Sequence, residues 1–126
     1  MALRTFAFRI GQEADLLDED EWREIEPLLV DRIKWVKGYR AENGCSIEEA
    51  TRHEPIGQAA LDKYRDLTGT KLGHPDQLWG VRQRDYGSLC PKCSRPFRTP
   101  RASMCAECGF QLPDGLKAGR LGERSN

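Results

Sequence analysis

The chain has 126 residues, 38% hydrophobic, 32% charged and 8% aromatic, which is enough apolar material for one modest core and leaves any second unit in need of a staple. Its 20 basic and 20 acidic residues cancel, but unevenly: residues 1–60 hold 8 Lys+Arg against 13 Asp+Glu (net −5), and residues 61–126 hold 12 against 7 (net +5). Overall neutrality argues against a general nucleic-acid binder, and no apolar run approaches the roughly 18 residues that a membrane span needs.

In chain order, residues 3–10 predict a strand, with Phe6, Phe8 and Ile10 on one face and Thr5, Ala7 and Arg9 on the other. Arg4, Thr5 and Arg9 also interrupt any secretory-signal core there. Asp18, Glu19, Asp20 and Glu21 open a helix whose apolar stripe is Trp22, Ile25, Leu29, Ile33 and Val36. The carboxylates suit the positive end of its dipole; Lys34 and Lys37 suit the other end, before a terminating Gly38. Pro27 either kinks this helix or begins a second one. Ser46 and Glu49 form a capping box for a short helix stopped by Pro55. Ile56, Ala60, Tyr64 and Leu67 line another, ended by Gly69. Residues 72–75 form a turn, and residues 77–86 suit a strand or a short helix equally. Beyond Pro113 the glycine-rich, non-periodic sequence predicts a mobile tail, and the final four residues match no lipidation signal.

The chemistry lies in Cys90, Cys93, Cys105 and Cys108. Two C-x-x-C pairs are separated by 11 residues, enough for a hairpin that sets the second pair opposite the first. Each two-residue spacer lets one tight turn present two sulfurs to a single ion. The product is a closed S₄ site that suits Zn²⁺. Pro91 fixes the first turn, and Gly109 supplies the positive φ that the second requires. Ser94 holds the corresponding place in the first. An iron site of rubredoxin type uses the same ligands, and a dithiol oxidoreductase would use one C-x-x-C in a βαβ context. In a reducing cytoplasm, the expected compartment, such pairs hold metal rather than disulfides.

Residues 86–112 resemble the zinc-ribbon class with rubredoxin-type knuckles. A longer run, from Tyr64 to Gly69 through Leu78, Trp79, Arg82, Tyr86 and Gly87 to Gly109, resembles small uncharacterised bacterial ribbon proteins. The class implies a binding or structural module, and the small bacterial proteins invite an adaptor or immunity-type role.

Other residues divide between function and scaffold. Asp18, Glu19, Asp20, Glu21 and Glu24 form an acidic patch that would steer a basic protein partner, with Trp35 as an anchor at the stripe's edge; a solvated helix start explains the same carboxylates. Arg82, Arg84, Lys92, Arg95, Arg98 and Arg101 face only Asp85 and Glu107 over residues 82–108, a net of +4. They support an alternative of weak nucleic-acid binding, with Tyr86 and Phe97 as stacking surfaces, or else they offset the anionic metal site. Cys45, near a helix start, is a nucleophile only if a histidine accompanies it, and neither His53 nor His74 has a catalytic spacing. The reading is therefore an α+β protein: a helical unit with a leading strand over 1–75, a zinc ribbon with its lead-in over 76–112, and a tail over 113–126. Its expected function is non-catalytic protein binding.

Overall fold

Alternation at the start of the chain builds a hairpin rather than a lone strand. In the computed structural model, which describes residues 1–121, β1 (Leu3–Ala7) pairs antiparallel with β2 (Gln12–Leu16), and Gly11 closes the turn at φ +67°. Leu3 opposes Leu16, Thr5 opposes Ala14 and Ala7 opposes Gln12, so these residues share a face. Ala7, Ala14 and Leu16 on it are fully buried. On the other face Phe6 and Phe8 are only half-buried and lie under the guanidiniums of Arg95 (4.7 Å) and Arg98 (5.0 Å).

Residues 77–86 are neither one strand nor one helix. Two 3₁₀ helices, Pro75–Gly80 and Gln83–Asp85, flank a single bridge in which Leu17 N–H donates to Val81 C=O (2.7 Å) and Gln83 N–H to Leu17 C=O (2.9 Å). Buried Gln83 also donates its side-chain amide to Leu16 C=O at 2.8 Å. Its polar atoms are therefore satisfied in the interior.

The helices form their own apolar surface. α1 (Glu19–Asn43) passes through Pro27 and through Gly38, where its end was expected; the left-handed residue is Gly44, at φ +62°. Asp18 and Glu21 cap the start reciprocally, each carboxylate accepting the other's backbone N–H (2.8 and 3.1 Å). Trp22, Ile25 and Leu29 are buried as the stripe predicts, but the next buried position is Arg32, and Ile33 is 42% exposed. Arg32 donates to Glu54 and to Asp76, both at 2.7 Å. Burial opposes its charge, yet these bonds outweigh burial and raise its pKa above the ordinary arginine value. Glu54 in turn accepts from the Ile56 and Gly57 N–H groups, so one carboxylate caps α3 (Ile56–Thr68) and neutralises Arg32. α2 (Ile47–His53) has the expected cap, Glu49 N–H donating to Ser46 Oγ at 3.1 Å. α3 buries Gly57, Ala60, Leu61 and Tyr64 and ends at Gly69, φ +82°.

One two-stranded sheet with helices makes the fold α+β. The described chain forms two compact units: Met1–Glu21 with residues 79–121, and Trp22–Leu78. The boundary differs from the expected one at residue 75 because the β-hairpin pairs through Leu17 with residues 81–83 and so belongs with the cysteines. The segment beyond Pro113 is bonded to that unit as well. Ser88 N–H donates to Gly119 C=O (2.9 Å), Leu121 N–H donates to Tyr86 C=O (3.1 Å), and Leu121 is buried. The remainder of the expected tail, residues 122–126, lies outside the described residues. Among the described residues no helix is long and apolar enough to cross a membrane.

Candidate metal centre

The two C-x-x-C segments fold into matching turns. In the first, Ser94 N–H donates to Cys90 C=O (2.9 Å) and Cys90 N–H to Arg95 C=O (2.8 Å). In the second, Gly109 N–H donates to Cys105 C=O (2.7 Å) and Cys105 N–H to Phe110 C=O (2.7 Å). The matching position after each pair needs a left-handed backbone. Gly109 provides it at φ +82°, while Ser94 is, among the described residues, the one positive-φ residue other than glycine, at φ +64°. Each turn is closed by one antiparallel bridge, Leu89 with Pro96 and Met104 with Gln111.

Between the turns the four sulfurs converge. All lie within 4.8 Å of one another, with Cys90 to Cys108 at 3.7 Å and Cys93 to Cys105 at 3.6 Å. A disulfide needs about 2.05 Å, so these are four separate thiols. Cys90 and Cys105 are buried with Phe97, and Cys93, Cys108, Phe110 and Leu112 pack around them. This small core consists largely of the ligands themselves. Four sulfurs at such spacing can hold one metal ion.

Backbone amides prepare the site for anionic sulfur. Burial works against a thiolate at Cys90, but the Cys93 and Lys92 amides and the neighbouring thiols overcome it and lower the pKa to about 7. Lys92 N–H stands 3.4 Å from that sulfur. At Cys93 the Arg95 amide favours the thiolate, but burial and the adjoining thiols prevail and push the pKa up to about 12; Cys108 is raised despite the Phe110 amide. Four thiols this close cannot all ionise without a cation between them.

The remaining nominated residues separate. Asp18 and Glu21 are occupied by the helix cap, and Glu19 holds Arg82 through two bonds (3.0 and 2.8 Å). Asp20 and Glu24 stay exposed, Glu24 beside Lys63 at 3.3 Å. Trp35 is half-buried and stacks on Tyr39 at 5.0 Å, and Tyr39 stacks on His53 at 5.4 Å. Arg95 and Arg98 share Glu107, at 3.7 and 2.9 Å. Lys92 is exposed on the first turn. Tyr86 and Phe97 are buried, so neither offers a face to a base; Tyr86 instead donates its hydroxyl to Gly80 C=O at 2.5 Å. Half-buried Cys45 accepts an Arg40 Nε–H bond through its carbonyl. Arg84 and Arg101 line one cleft together with Arg9 and Arg120. No family model matches this chain, and no curated protein or solved structure matches it either.

Proposed function

We propose that the protein is a non-catalytic zinc-ribbon module that binds a protein partner, in an adaptor or immunity-type role. The observation that carries the metal assignment is the sulfur spacing. Zn–S bonds of about 2.3 Å in a tetrahedron place sulfurs roughly 3.8 Å apart, and the two closest pairs stand at 3.7 and 3.6 Å. Cys90, Cys93, Cys105 and Cys108 would fill every coordination position, so the ion serves folding and has no open position for substrate. Replacing it with Co²⁺ tests this directly: a tetrahedral S₄ site gives strong visible d–d bands and thiolate charge transfer that saturate at one equivalent. Weak, octahedral-type bands would contradict the assignment.

The partner reading is supported by the exposed carboxylates of Asp20 and Glu24 at the start of α1, which the helix cap leaves facing solvent. It is supported also by the module class that the ribbon resembles. Asp20→Lys with Glu24→Lys is expected to slow association with the native partner while zinc content stays at one. Unchanged association would remove the acidic surface from the account.

A further inference from the structure

Four arginines from four separate segments line one cleft of about 390 Å³ in the metal-bearing unit: Arg9, Arg84, Arg101 and Arg120. Among the described residues the one carboxylate on its wall is Asp85. Among the described residues Arg84 and Arg101 form no ion pair. Other cations nearby are engaged, Arg82 by Glu19 and Arg95 and Arg98 by Glu107. Arg84 and Arg101 therefore bring positive charge without a paired carboxylate to the cleft, and a concave wall focuses that field.

Its frame is preorganised. Arg9 leaves the β-hairpin turn, lies over the rings of Phe8 and Tyr86 (5.6 and 5.8 Å) and donates to Asp85 C=O at 3.4 Å. Arg84 projects from the 3₁₀ helix Gln83–Asp85. Arg101 follows Thr99 and Pro100 in a turn tied by Ala102 N–H to Thr99 C=O (3.2 Å) and by Gly119 N–H to Pro100 C=O (2.9 Å). Arg120 is bridged to Gly87. Guanidinium forks match phosphate oxygens two at a time, and converging several of them is unfavourable without an anion.

We infer that this cleft binds a compact phosphate ligand of the pyrophosphate class, free or as the end of a nucleotide. Each phosphate monoester carries about −1.5 to −2, so a cleft of about 390 Å³ lined by several guanidiniums suits two linked phosphates rather than a long backbone. Outside the cleft Arg95 and Arg98 are paired with Glu107, and the aromatic rings of Tyr86 and Phe97 are buried, so neither ring offers a nucleic-acid strand a stacking platform. The site goes beyond the zinc-module reading, and its lining includes none of the four cysteines.

The test is titration of the intact, metal-loaded chain with inorganic pyrophosphate, read by the arginine Nε–H NMR signals. Saturable shifts are expected at Arg84 and Arg101 and not at Arg95 or Arg98. Arg84→Gln with Arg101→Gln should weaken binding at least tenfold, whereas Lys92→Gln, outside the cleft, should leave it within twofold. ADP binding as tightly as pyrophosphate identifies a nucleotide end; loss with ADP identifies the free anion. No saturable shift at millimolar pyrophosphate, equal shifts at all arginines, or a single-stranded oligonucleotide binding over tenfold more tightly in the same salt would overturn the inference.

Discussion

The two units solve the same problem of size by different means. Trp22–Leu78 is held by helices whose apolar stripe buries Trp22, Ile25, Leu29, Ala60 and Tyr64, and by one buried arginine with two carboxylates. The cysteine-bearing unit has a two-stranded hairpin, isolated bridges and, around the cysteines, a small cluster in which Cys90 and Cys105 are buried with Phe97. Helix–helix burial stabilises without help, whereas so small a set of short pairings needs a cross-link. The difference teaches that the two C-x-x-C turns, unlike the helices, have little apolar burial of their own, and that each unit should fail for its own reason.

Removing one ligand gives the largest effect. Structural zinc contributes on the order of 10–16 kcal/mol of apparent binding energy. Cys93→Ser or Cys105→Ser is therefore expected to abolish stoichiometric metal binding and collapse amide dispersion for residues 86–121. Far-UV circular dichroism from α1 and α3 should persist; loss of that helical signal as well would break the contrast.

In the helical unit the counterpart is Arg32→Met. It leaves the Glu54 carboxylate, with its side chain 3% exposed, without its guanidinium. The expected cost is about 3–5 kcal/mol, seen in thermal melts as loss of helix while metal content remains one per chain. A melting curve unchanged by the substitution would show that the ion pair does not hold the unit.

Gly87→Ala probes the cysteine-bearing unit without touching sulfur. An added Cβ would meet Thr99 C=O at 2.5 Å and Phe97 Cβ at 2.6 Å. Overpacking of this kind costs about 1–3 kcal/mol, expected as faster metal loss to a chelator. The smallest effect is a gain: Ser94→Gly relieves the left-handed backbone at φ +64° and should stabilise by up to ~1 kcal/mol, slowing the same release. Faster release would mean that Ser94 contributes more than conformation.

Legibility in the sequence followed how local each device is. The cysteine turns were readable because two residues between ligands specify a turn by themselves, and Ser94 against Gly109 forecast the strained position. The caps at Ser46 and Gly69 were readable for the same reason. Arg32 was not, because periodicity ranks Ile33 above a charged neighbour and gives no sign of Glu54 and Asp76, 22 and 44 positions away. β2 was hidden in Gln12–Leu16, where Glu13 and Asp15 alternate with Ala14 and Leu16 over only five residues. The arginine cleft draws Arg9 and Arg120 from opposite ends of the chain, and no window of sequence contains both.

The central claim is that four thiolates close around one structural ion. Elemental analysis of protein purified without chelator, combined with thiol titration before and after chelation, tests it most directly. The account predicts one zinc per chain, one reactive thiol (Cys45) before chelation and five after. Well under one zinc per chain, iron in its place, or five reactive thiols from the outset would contradict it.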